Sequence, residues 1–160
     1  MSSKNHTNQR LGFSALGAGI VALTMMAPRP AVASLGGDVV SVQRDQASMK
    51  ATLRSTPAAR YTVHEMETAS GSKVREYATP GGKVFAVAWQ GTFHPGYRQL
   101  LGDHFAHLTQ SLQRIHARRA PVIINEPDFV FETAGHMRSL SGRAYLPQLI
   151  PQGVSAKEIQ

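Results

Sequence analysis

Gly82-Lys83-Val84-Phe85-Ala86-Val87-Ala88-Trp89-Gln90-Gly91 holds six consecutive apolar residues between polar and glycine-bearing ends. A run of that length, apolar on both faces, suits an interior strand covered on at least one side, and it belongs at the centre of a sheet. Immediately before it, Pro80-Gly81-Gly82 marks a turn, and Ser70-Gly71 marks another. The segments they separate, Tyr61 to Glu67, Lys73 to Ala78 and Lys83 to Trp89, have the composition and spacing of strands. Spacers this short predict an antiparallel meander.

Further upstream, Asp38 follows Gly36-Gly37 and is placed to cap a helix; Val39, Val42, Gln46, Met49 and Leu53 then recur at spacings of three and four. This predicts an amphipathic helix with Arg44, Asp45 and Lys50 on its polar side, ended by Pro57. Downstream, Gly91, Pro95 and Gly96 punctuate a loop. Leu101, Phe105, Leu108, Leu112 and Ile115 then form one stripe on a second helix, from Tyr97 to Ala117, with Arg114, Arg118 and Arg119 where cations favour the helix dipole. Beyond Pro121, three more strands are expected at Val122 to Asn125, Phe129 to Ala134 and Met137 to Leu146. Pro147 and Pro151 bracket the tail, where Ser155 is placed to cap a last helical fragment. The fold class is therefore α+β: an antiparallel sheet of about five to six strands with two main helices packed on it, in the order α-βββ-α-βββ.

The first 33 residues have a different character. Lys4 and Arg10 precede a largely apolar run from Leu11 to Ala27, and Ala31-Val32-Ala33 offers the small residues that signal peptidase requires. The expectation is a cleavable signal peptide over residues 1–33, cut between Ala33 and Ser34, and a single exported domain over residues 34–160, periplasmic or secreted, with no transmembrane segment after cleavage. The segment removed carries Lys4, Arg10 and Arg29 and no acid, so of the 17 basic and 10 acidic residues the domain keeps 14 and 10, a net charge of +4. That excess is too diffuse for nucleic-acid binding. With no cysteine, neither disulfides nor a thiol nucleophile are available.

No catalytic signature stands out. No serine sits in a nucleophile-elbow motif, and His64 and Glu65, adjacent on a strand, point to opposite faces. Asp103 and His107 share a helix face with His104 beside them, a grouping that can hold a transition metal. It lacks an obvious third ligand, and a solvated helix face shows the same pattern. No cofactor is expected. Trp89, Phe93 and Tyr97 form a candidate aromatic edge that stacks on a sugar or receives a peptide, although a large residue on a central strand is also ordinary core.

Several stretches carry a family likeness. Leu35-Gly36-Gly37-Asp38-Val39, Tyr61-Thr62-Val63-His64-Glu65, Val74-Arg75-Glu76-Tyr77, the central strand through Gln90-Gly91, Gln99-Leu100-Leu101-Gly102, Gly135-His136-Met137-Arg138 and Gly142-Arg143-Ala144-Tyr145-Leu146-Pro147 resemble the DUF2844 family of exported proteobacterial proteins. The resemblance implies export from a Gram-negative cell and supplies no activity. Among the residues that carry it, His64, Arg75, Glu76, His136 and Arg138 are polar and form a candidate cluster, either a cleft or a fold-stabilising network. The leading expectation is a non-enzymatic envelope protein that binds a partner protein or a glycan. The alternative is a periplasmic hydrolase or metal-dependent enzyme; a third reading has Arg114, Arg118 and Arg119 contact anionic lipid or polysaccharide.

Overall fold

The apolar run forms β4 (Val84–Gly91), the middle strand of a seven-stranded sheet. The computed structural model describes residues 35–115, 121–136 and 138–160. Along the chain β4 is preceded by α1 (Val40–Met49), β1 (Thr52–Pro57), β2 (Thr62–Glu67) and β3 (Lys73–Ala78). It is followed by α2 (Tyr97–Leu101), α3 (His104–Arg114), β5 (Val122–Asn125), β6 (Val130–His136) and β7 (Ser139–Tyr145), then by 3-10 turns at Pro147–Leu149 and Ala156–Glu158. The sheet order is β1-β2-β3-β4-β7-β6-β5, with every neighbouring pair antiparallel. Each half is a meander of hairpins, and the two halves join along β4 and β7.

Both faces of β4 are covered, as its composition requires. On one side the helices pack Val42, Leu100, Leu101 and Leu108 over Val84, Val87, Trp89 and Phe131. On the other, the chain after β7 returns across the sheet and lays Ile150, Val154 and Ile159 on Tyr77, Phe85 and Ala86. A register shift makes this second layer deeper: Tyr77 pairs with Ala86 and Ala78 with Val84, so Phe85 is the extra residue of a bulge. Phe85 and Ile159 are 0% and 1% exposed, and burial on that scale stabilises by about 1.5–3 kcal/mol for each large side chain.

Three expectations need correction. The sheet has seven strands, because Thr52 to Pro57 is an edge strand and not the end of the first helix. Lys50 closes α1 in the left-handed conformation (φ 49°), which turns the chain; Leu53 then faces the helix layer opposite Met66 and preserves the apolar spacing that mimics a longer helix. Pro57 is tolerated because β1 is an edge. The second helix is two, broken at Gly102, whose φ of 50° and ψ of −121° suit a residue without a side chain. Finally, Asp38 does not cap α1: its carboxylate meets Lys83 Nζ at 3.0 Å. The element order is thus α-ββββ-αα-βββ. Ser155 does cap the last turn, in a capping box with Glu158. The proposed cleavage residues Ala31, Ala33 and Ser34, the cations Arg118 and Arg119, and Met137 lie outside the described residues.

Candidate functional site

One end of the sheet gathers the β2–β3 turn, the end of β4, the loop leading into α2 and the β6–β7 turn. Between the first three lies a cleft of about 230 Å³, with Trp89 and Val74 at its floor, Phe93, His94 and Pro95 on one wall, and Thr68, Ser70 and Ser72 opposite. Of the three edge aromatics, only Phe93 stands open, at 71% exposed. Trp89 is 4% exposed and belongs to the core, its ring 5.3 Å from that of Tyr97 and 5.6 Å from that of Phe131. The close approach of β7 makes room for it: a Cβ on Gly142 would run into the indole and the Glu132 carbonyl. The indole N–H is buried against the Tyr97 hydroxyl, out of reach of the cleft. The neighbouring Tyr97 hydroxyl is occupied with His94 Nδ1 at 2.5 Å, and burial pushes its pKa up to about 12. A stacking surface facing a row of hydroxyls supplies the elements of a site for a small polyhydroxylated ligand.

The five polar residues singled out in the sequence divide into separate groups. His64 and Glu76 are cross-strand partners on the helix face, both buried. Arg75 points to the opposite face, where its Nε meets Glu65 at 2.6 Å and its Nη1 meets the Gln160 carbonyl at 2.8 Å. His136 ends β6 and Arg138 lies in the turn that follows, where it shares a shallow groove with Arg75.

Glu76 instead meets a residue that the helical wheel places in solvent. Asp45 is 1% exposed and faces the sheet from α1, three residues from Val42 and four from Met49, so it sits on the buried stripe. Its Oδ1 accepts from Gln99 Nε2 at 2.5 Å, while its Oδ2 and both Glu76 oxygens find no donor. Burial raises both carboxyls, Glu76 well above the ordinary range, with Asp45 beside it adding to the rise. Burial and the adjacent Asp45 thus favour the protonated form of Glu76. His64 holds Ser55 Oγ at 2.8 Å through Nδ1, and burial lowers its pKa. The pair is sealed by α1, so it acts on the fold and not on an external substrate.

At the opposite end of the sheet, the turn between β5 and β6 reaches α3. His107 Nε2 lies 2.6 Å from Glu126 Oε2, and the ligand atoms of His107, Glu126 and Asp128 all fall within 4.8 Å of one another. Glu126 Oε1 also takes Arg114 Nη2 at 2.7 Å and Ser111 Oγ at 2.9 Å, and these partners, His107 foremost, hold its pKa low. His104 stacks on Phe129 with ring centroids 5.8 Å apart and is not one of the three residues whose ligand atoms converge. Of Asp103, His104 and His107, it is thus His107 that joins a group of possible ligands, and its acids come from another element, not from Asp103. No local spacing announces Glu126 and Asp128 as its neighbours. Arg114 already neutralises Glu126, which is the arrangement of a structural ion-pair network.

The family model for DUF2844, described as a protein of unknown function, matches residues 31–159. No curated protein and no solved structure matches the chain.

Proposed function

Since the chain belongs to the DUF2844 family, whose description assigns no activity, we propose that it is an exported binding domain that takes a short saccharide in the cleft at the end of the sheet. The observation that carries this reading is the exposed Phe93 across a cavity from the hydroxyl-bearing Thr68, Ser70 and Ser72. An aromatic face against the apolar side of a sugar ring, with donors and acceptors around its edge, gives orientation without chemistry. Export is supported by the basic start, the apolar run and the Ala31-Val32-Ala33 site, and no described helix is long and apolar enough to cross a membrane. The test is isothermal titration of residues 34–160 with cellotetraose, chitotetraose and tetragalacturonate. Saturable heat is expected with at least one of them, weakened about tenfold by Phe93→Ala, as expected when a stacking contact worth roughly 1–1.5 kcal/mol is lost. Flat traces with all three sink the reading.

The metal-dependent alternative draws on the convergence of His107, Glu126 and Asp128. It requires zinc to displace Arg114 from Glu126, so a zinc titration whose heat disappears in His107→Ala supports it and a flat trace removes it.

A further inference from the structure

The cleft does not end at Lys73 and Gln90. These two residues, partners across β3 and β4, also line a second depression on the far side of the sheet's rim, together with Arg75, Arg138, Thr92 and Ser139. Three of those side chains are cationic and none of the lining residues is acidic. Arg75 is engaged with Glu65, and Lys73 Nζ lies 3.6 Å from Glu67 in a loose, exposed pair. Arg138 makes no hydrogen bond or ion pair among the described residues.

The backbone at Arg138 supplies a second, independent observation. Pairing of β6 with β7 continues to His136 and Ser139, leaving two residues for the turn, where glycine or asparagine ordinarily takes the left-handed position. Arg138 takes it instead, with φ at 67°. A bulky residue held in that region has a conformational cost that glycine would avoid, so the side chain is retained at some expense in turn stability. Its result is a guanidinium with free donors at the mouth of a groove that opens onto the cleft.

We infer that the groove binds an anionic group, and that the ligand of the cleft is an acidic saccharide, one ring of which lays its apolar face against Phe93 while a carboxylate reaches over Lys73 to Arg138. The inference rests on the cleft reading above and assigns the ligand's charge. Guanidinium is suited to the acid because it offers paired donors to a carboxylate or phosphate.

The experiment compares tetragalacturonate with the same oligosaccharide after reduction of its carboxylates to alcohols, and with inorganic phosphate, on residues 34–160. The acidic form is expected to bind at least about tenfold more tightly than the reduced form, with an affinity that falls as salt rises. Arg138→Gly, which relieves the turn, should remove about tenfold of the acidic affinity and leave that of the reduced form unchanged, and Lys73→Gln, at the join of cleft and groove, should weaken the acidic form about tenfold more than the reduced one. Equal binding of the two forms, or an unchanged acidic affinity in both variants, overturns the inference and leaves the cleft reading standing. Phosphate binding as tightly as tetragalacturonate also overturns it, since the groove would then need no sugar. Silence from every oligosaccharide, cellotetraose and chitotetraose included, brings down the cleft reading and this inference together.

Discussion

Asp45 and Glu76 place two carboxyl groups in the core, and Asp45 Oδ2 and both Glu76 oxygens have no hydrogen-bond partner among the described residues. The folded protein retains a proton on Glu76 to a higher pH than the unfolded chain does, so stability from this pair is fully present below about pH 4.5 and is lost as pH rises through the raised folded value. His64, opposite Glu76, works in the other direction. Its pKa is lowered from 6.5, so its contribution is present above that value and is lost as pH falls. Glu76→Gln keeps a donor toward Asp45 at every pH. The variant should match the wild type near pH 4 and exceed it by about 1–3 kcal/mol at pH 8, the usual cost of an unsatisfied buried polar group; urea midpoints at the two pH values check this, and equal midpoints at pH 8 contradict it. The sequence shows both acids but not their meeting. Asp45 follows Arg44 in a helix with a weak apolar stripe, and only its spacing from Val42 and Met49 signals an inward direction. His64 and Glu76 are legible as a pair once β2 and β3 are aligned across their short turn.

At the level of elements, what is readable is whatever local spacing dictates. The alternation and turns of β2, β3 and β4 mark those strands within a residue or two, and an apolar run on both faces puts β4 at the centre of the sheet. β1 is hidden because Leu53 continues the helical spacing of α1 while also fitting a strand opposite Met66. The break between α2 and α3 is hidden because the apolar stripe runs through it and only Gly102 signals the interruption. The cleft and its adjoining groove are built by long-range neighbours: Phe93 and Trp89 of the cleft are visible as an aromatic cluster, whereas Arg138 of the groove is delivered by a hairpin about fifty residues downstream. Gly142 of β7 links that hairpin to the cleft floor, since a side chain there meets the Trp89 ring. Gly142→Ala should destabilise by about 1–3 kcal/mol, the range for overpacking, and should shift the indole emission as the ring is pushed aside. A variant with unchanged urea midpoint and emission would contradict the close contact.

For the molecule as a whole, the helix layer and the returning tail make two separate cores on a shared sheet. Its prolines and capping serine suggest that the tail holds little more than a capped turn; it is a covering layer, and Ile159 is buried as deeply as residues of β4. Ile159→Ala should therefore cost about 2–5 kcal/mol, the range of an interior aliphatic truncation, read from thermal or urea unfolding. A loss within experimental error would show that the tail does not cover the sheet. Among the described residues the two hairpin stacks pair where β4 runs beside β7, and the chain's single tryptophan lies on that line, against Phe131 and Gly142 from the far half. Intrinsic fluorescence is consequently a native, label-free gauge of the moment the halves close on each other during refolding. Probes of backbone order, such as far-ultraviolet circular dichroism, report the local hairpins, and a lag of the tryptophan signal behind them would time the zipping of the seam.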